Sequence, residues 1–71
     1  MDHLKFVVVV LNEGKRIYGY IFHQDFESEM FDYCRFVDHN NIHSYLNMND
    51  TSMVRQIEKK NIMHIDLNLR F

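Results

Sequence analysis

The triplet Asn12-Glu13-Gly14 constrains this chain most, because it separates two runs that read as strands. Leu4 to Leu11 (LKFVVVVL) is dense in β-branched residues, and Arg16 to His23 (RIYGYIFH) is dense in aromatics and isoleucine. A three-residue loop closing on glycine forms a type I turn followed by a G1 bulge, since glycine takes the left-handed conformation without a Cβ clash. The register follows. Leu11 stands opposite Lys15, with Val9 opposite Ile17 and Val7 opposite Gly19 on one face, and Val8 opposite Tyr18 and Phe6 opposite Tyr20 on the other. Both faces of this hairpin are apolar.

Asp25 to Val37 (DFESEMFDYCRFV) places Phe26, Met30, Tyr33, Cys34 and Val37 at helical spacing, which predicts a helix with Asp25 as its N-cap. Glu27 and Glu29 near its start and Arg35 near its end suit the helix dipole, and Asp38-His39-Asn40-Asn41 is the stop. A strand over Met30 to Val37 competes, because Phe31, Tyr33 and Val37 also fit period two. Ile42 to Met48 reads as a brief strand or irregular connection. After the turn residues Asn49-Asp50-Thr51-Ser52, the spacing of Met53, Val54, Ile57 and Asn61 predicts a second short helix, with Lys59 and Lys60 near its C-terminus. Ile62 to Phe71 alternates strictly, with Met63, Ile65, Leu67, Leu69 and Phe71 on one side and His64, Asp66, Asn68 and Arg70 on the other. The expected class is α+β: an antiparallel sheet of the N-terminal hairpin and a C-terminal strand, with one or two short helices in ββα(β)αβ order.

At 71 residues the chain is expected to be one small globular domain spanning 1–71. A net charge of −2 excludes a strongly basic nucleic-acid binder held mainly by phosphate contacts. The longest apolar run, Phe6 to Leu11, is far short of the roughly 20 residues of a membrane span. No small-residue cleavage site follows it, so a soluble, unprocessed chain is expected. The single cysteine, Cys34, closes no internal disulfide, which suits a reducing, cytoplasmic setting.

Two short helices cover one sheet face but hardly both. If Gly19 marks close helix packing on the face of Val7, Val9, Ile17 and Ile21, the other face stays open. That face carries Phe6, Val8, Tyr18, Tyr20 and Phe22, an apolar and tyrosine-rich surface suited to a protein partner or to self-association as a homodimer. The competing arrangement buries both faces in a rolled sheet. Glu27 and Glu29 offer a second, acidic surface for a basic partner.

Five histidines stand out: His3, His23, His39, His43 and His64. On a continuous helix His39 and His43, with Cys34, could face a zinc ion, but the helix stop lies between them and no further ligand pair completes a tetrahedral set. A small histidine-ligated metal protein is therefore an alternative, and no metal or cofactor is expected. Cys34 reads as a small core hydrophobe. Neither a phosphate loop nor a recognisable nucleophile and base is present, so the expected role is a non-catalytic regulatory or inhibitory interaction module. Tyr18, Tyr20 and Phe22, near Lys15 and Arg16, could instead stack on bases.

Leu11-x-x-Gly14-x-x-x-x-Gly19-x-Ile21-x-x-x-Asp25 resembles the first half of the signature of the Sm-like (LSm) RNA-binding family. The resemblance implies a small bent five-stranded β-barrel, of SH3/Sm-like type, that assembles into rings and binds single-stranded RNA. Tyr18, Tyr20 and Asp25 would then be the residues to test. The chain departs from the signature in having Glu29 where the family has asparagine and in lacking an Ile-Arg-Gly-type run in its second half.

Overall fold

The computed structural model describes residues 4–66. Strands β1 (Leu4–Leu11) and β2 (Arg16–Phe22) form the expected hairpin, in the register Phe6 to Tyr20, Val7 to Gly19, Val8 to Tyr18 and Val9 to Ile17. Gly14 sits at φ 86°, and its N–H donates to the Leu11 carbonyl at 2.8 Å while the Leu11 N–H donates to Lys15 O at 2.8 Å. A single helical turn, α1 (His23–Glu27), leads through a loop to β3 (Tyr33–Asp38). A 3-10 turn (His39–Asn41) and α2 (Ile42–Met48) follow, then a second 3-10 turn (Thr51–Met53) and β4 (Val54–Glu58). The 3-10 turn Lys59–Asn61 joins β4 to β5 (Ile62–Asp66). No helix among the described residues is long and apolar enough to cross a membrane.

All five strands form one antiparallel sheet in the order β4-β3-β2-β1-β5, so the chain has the expected α+β class. The outermost strands of this sheet are consecutive in sequence. At roughly 4.8 Å per strand, a flat sheet would hold β4 and β5 about 19 Å apart. The turn between them rises only about 2 Å per residue. The sheet must therefore curl enough to bring the end of β4 beside the start of β5.

The concave face is the core. Val7, Val9, Ile17, Ile21, Cys34, Phe36 and Ile57 are buried together, with Leu11, Ile62 and Ile65 packed against them. Gly19 lies on this face, but β3 presses on it where a helix was expected. A Cβ there would meet the Val37 carbonyl at 2.3 Å and the Phe36 ring at 2.6 Å. On the convex face Val8 and Val37 are buried, and Ile42 at the start of α2 is buried as well, with α2 packed against β3. Ring contacts between Phe22 and Tyr45 (6.1 Å) and between Phe6 and His39 (6.2 Å) fasten that cover.

Several elements differ from the expectations. The helix over Asp25 to Val37 is only α1. From Tyr33 onward the chain is a strand, as the competing period-two reading had it, and hydrogen-bonds to β2 and β4 on its two sides. The expected helix after Met53 is β4, because pairing with β3 on one side outweighs a weak helical spacing. Ile42–Met48 is the real second helix. It places Ile42 and Tyr45 on the sheet and ends at Asn49 in the left-handed region (φ 54°). In β5 a register shift between Val10 and Leu11 pairs Val10 with His64 and Leu11 with Ile62. Ile62 thereby joins Ile65 on the core while Met63 is 60% exposed, a break in the alternation expected there. The expected strand over Leu67 to Phe71 lies outside the described residues.

The two glycines separate two kinds of cost. Gly19→Ala is expected to destabilise the fold by about 1–3 kcal/mol through overpacking against Phe36 and the β3 backbone. Gly14→Ala meets nothing within 4 Å and is expected to cost about 1 kcal/mol from its left-handed backbone alone. Urea unfolding checks both. Equal and negligible losses would contradict the close approach at Gly19.

Candidate functional site

Among the described residues Asp25 is the buried charged one, and it anchors the loop that walls a concave surface. Its Oδ2 accepts the Arg35 backbone N–H at 2.9 Å and Arg35 Nε at 2.8 Å, and its Oδ1 accepts Arg35 Nη2 at 3.0 Å. The guanidinium lies over the Phe22 ring, 4.3 Å from its centroid. One carboxylate thus ties the end of β2 to the start of β3, and the intervening residues close a loop. Hydrogen bonding from Arg35 holds the Asp25 carboxyl below its ordinary value against the opposing effect of burial, and the same bond raises Arg35.

Further main-chain bonds shape that loop. The Ser28 N–H donates to Gln24 O at 3.1 Å, and Ser28 Oγ accepts the Met30 N–H at 3.1 Å. From the β4–β5 turn, the Lys59 N–H donates to Asp32 O at 2.8 Å, and Lys59 Nζ donates to the Ser28 carbonyl. Asn12 of the hairpin tip holds the turn from its other side, donating through Nδ2 to Lys60 O at 2.7 Å and through its N–H to Asn61 O at 2.9 Å. Loop and turn are thereby fixed as the two walls of an open groove of about 1000 Å³.

Phe26, Glu27, Glu29, Phe31, Asp32 and Tyr33 line one wall, and Gln56, Glu58, Lys59 and Lys60 the other. Large apolar side chains are exposed here: Phe31 is 44% and Phe26 37% exposed, and neighbouring Met30 is 88% exposed. The Phe31 and Tyr33 rings lie 6.2 Å apart. Carboxylates outnumber ammonium groups, and both lysines are engaged, Lys59 with the loop carbonyl and Lys60 with Glu58 at 3.2 Å. Glu27 pairs with His23 at 2.8 Å.

Glu27 and Glu29, expected on one acidic helix, both line this groove, although Glu29 lies beyond α1 in the loop. The expected aromatic sheet face is largely covered. Val8 is buried; Phe6, Tyr20 and Phe22 are half-buried under the His39–Asn41 turn and α2; only Tyr18, 51% exposed, stands free. The reading with a hairpin packed on both faces describes this better. Cys34 points into the core while His39 packs on Phe6 at the opposite face, so the two do not share a metal site. Among the described residues no group of three His, Cys, Asp or Glu side chains could hold a metal ion. His3 lies outside them. Burial pushes the Cys34 thiol up, which keeps it protonated and suits a core role.

Sequence reasoning missed the Asp25–Arg35 bond, because a helix from Asp25 to Val37 set these residues at its opposite ends. The period-two spacing of Tyr33 and Val37 was the available signal for a strand that brings Arg35 back to Asp25. With Phe31 and Tyr33 assigned to a helix, the groove itself had no sequence signature. Comparison with known protein families, curated proteins and solved structures finds no match to this chain.

Asp25→Asn is expected to destabilise the fold by about 2 kcal/mol. Breaking a buried pair costs more, but the Arg35 side chain is 42% exposed and solvent screens part of the loss. Because folding lowers the Asp25 pKa, its contribution is complete above the ordinary value of 3.8 and is lost as pH falls through the lower folded value. Urea unfolding across acid pH should therefore give a shallower acid limb in the variant. Parallel limbs would show that the carboxylate is not stabilised by folding.

Proposed function

We propose that this chain is a small non-catalytic protein-interaction module with a regulatory role, which docks a segment of a partner protein in the groove between the α1–β3 loop and the β4–β5 turn. The observation that carries this reading is that exposed Phe26 and Phe31 line the groove, with exposed Met30 next to Phe31 in the same loop. Apolar side chains grouped in a concavity lose water profitably only when something covers them. The walls are pinned before any partner arrives, so little ordering entropy opposes docking. Phe6, Val8, Tyr20 and Phe22 support the fold beneath α2 more than they offer a surface, and Tyr18 extends the contact area. A buried single thiol at Cys34 suits a reducing, cytoplasmic compartment.

A photo-crosslinking residue in place of Met30, with a control in place of exposed Glu13, tests this in the source cell. The expected result is a discrete heterologous adduct from position 30 that disappears with Phe31→Ala and is absent from position 13. The same products from both positions, or none from position 30, would overturn the reading.

A second reading rests on a different observation. The outer edges of β4 and β5 have no strand partner among the described residues, and unpaired edges are templates for pairing between copies. Joined β4 to β5, copies would form a closed ring, as the Sm-like resemblance implies, with RNA as the ligand. Light scattering with the 260/280 nm absorbance ratio across the same peak decides it. A hexamer or heptamer carrying nucleic acid is expected on this reading; a monomer, or a dimer free of nucleic acid, removes it.

A further inference from the structure

We infer that the segment docked in the groove is an extended cationic peptide, whose lysine or arginine side chains lay their stems on Phe31 and Tyr33 and bring their charges to Glu29 and Asp32. The inference rests on the interaction-module reading and names the partner's chemistry. Glu27, Glu29, Asp32 and Glu58 face the groove against Lys59 and Lys60. Four carboxylates against two ammonium groups leave the lining net negative, and the Lys60–Glu58 pair removes one charge of each sign without changing that balance. Phosphate or an acidic peptide is repelled there.

Aromatic rings supply the second half of the recognition. Long cationic side chains cover apolar surface with their methylenes while the charge stays at the rim, and a ring face attracts that charge. Arg35 already packs this way on Phe22 within the chain, at 4.3 Å. Phe31 and Tyr33 offer a ring pair beside carboxylates but without an internal guanidinium over them among the described residues. Gln56 and Glu58 belong to β4, whose outer edge is unpaired among the described residues, so a strand-like peptide also finds main-chain partners at the groove's rim.

The test is a nitrogen-15 correlation spectrum of the full chain, titrated with three synthetic peptides of equal length. One alternates Lys/Arg with Leu, the second replaces the cations by Gln, and the third replaces them by Glu. The basic peptide is expected to shift the amides of Phe31, Asp32, Tyr33 and Glu58 saturably. Its affinity should fall about tenfold or more in the double variant E29K/D32K, and by a similar factor between about 0.05 M and about 0.5 M salt. Both substituted residues are exposed, and the dispersion of the variant's own spectrum verifies its fold. Equal binding of the Gln peptide at these amides would overturn the cationic partner and leave the interaction module standing. Shifts confined to other surfaces, or none with any peptide, would also overturn the inference, and the adduct from position 30 then decides the module by itself.

Discussion

Joining the two outermost strands of a five-stranded sheet by only the turn Lys59–Asn61 is the constraint on which the molecule depends. A flat sheet cannot meet it. Once the sheet curls, the concave side narrows and needs side chains that fill it without collision, which β-branched residues of β1 and Ile17, Ile21 and Ile57 provide. A close approach falls at β2–β3, where the Phe36 ring and the Val37 carbonyl lie directly on Gly19. Any side chain at position 19 would push β3 outward and open the curl, so the absence of a Cβ and the bulk of one ring are two halves of the same contact.

Curling also creates the problem that the rest of the chain solves. Hairpin residues on the convex side are as apolar as those inside, and the described residues form no second sheet to lay over them. The β3–β4 connection takes that place, with Tyr45 of α2 resting on Phe22, His39 before it on Phe6, and Ile42 buried between them in sequence. Seven residues suffice for Ile42–Met48, and the left-handed Asn49 then turns the chain back toward β4.

What could be read in the sequence follows from the range over which each signal acts. The hairpin was legible to the register because turn geometry and alternation are both local, and Gly14 adopts the expected left-handed conformation. Residues 25–37 and 53–61 were not, since their strand character comes from partners far away in sequence. Cys34 and Ile57 are held by pairing across β3 and β4, whereas the spacing of Phe26, Met30, Tyr33, Cys34 and Val37, and of Met53, Val54, Ile57 and Asn61, also fits helices. The bulge in β5 was invisible for the same reason: strict alternation from Ile62 onward gives no hint that Met63 is displaced outward so that Ile62 can reach the core. Glu27 and Glu29 were singled out by charge alone, and the groove that unites them with Phe31 and Glu58 required the loop to close.

That closure explains why an ion pair sits where an apolar contact would also be stable. Asp25 and Arg35 do more than attract: three directed hydrogen bonds set both the distance and the angle between the end of β2 and the start of β3. Two apolar side chains of similar volume would hold the same distance while leaving the loop free to rotate about it. Fixing the angle sends residues 26–32 along one path, and the Lys59 bonds to Ser28 and Asp32 then have something rigid to grip. The side chains that keep the loop in place are thus those of Asp25, Arg35, Ser28 and Lys59, while Glu29, Met30, Phe31 and Asp32 are exposed and hold it, where they do, through the main chain. A binding surface made of residues the core does not need can change its preferences without unravelling the sheet beneath it.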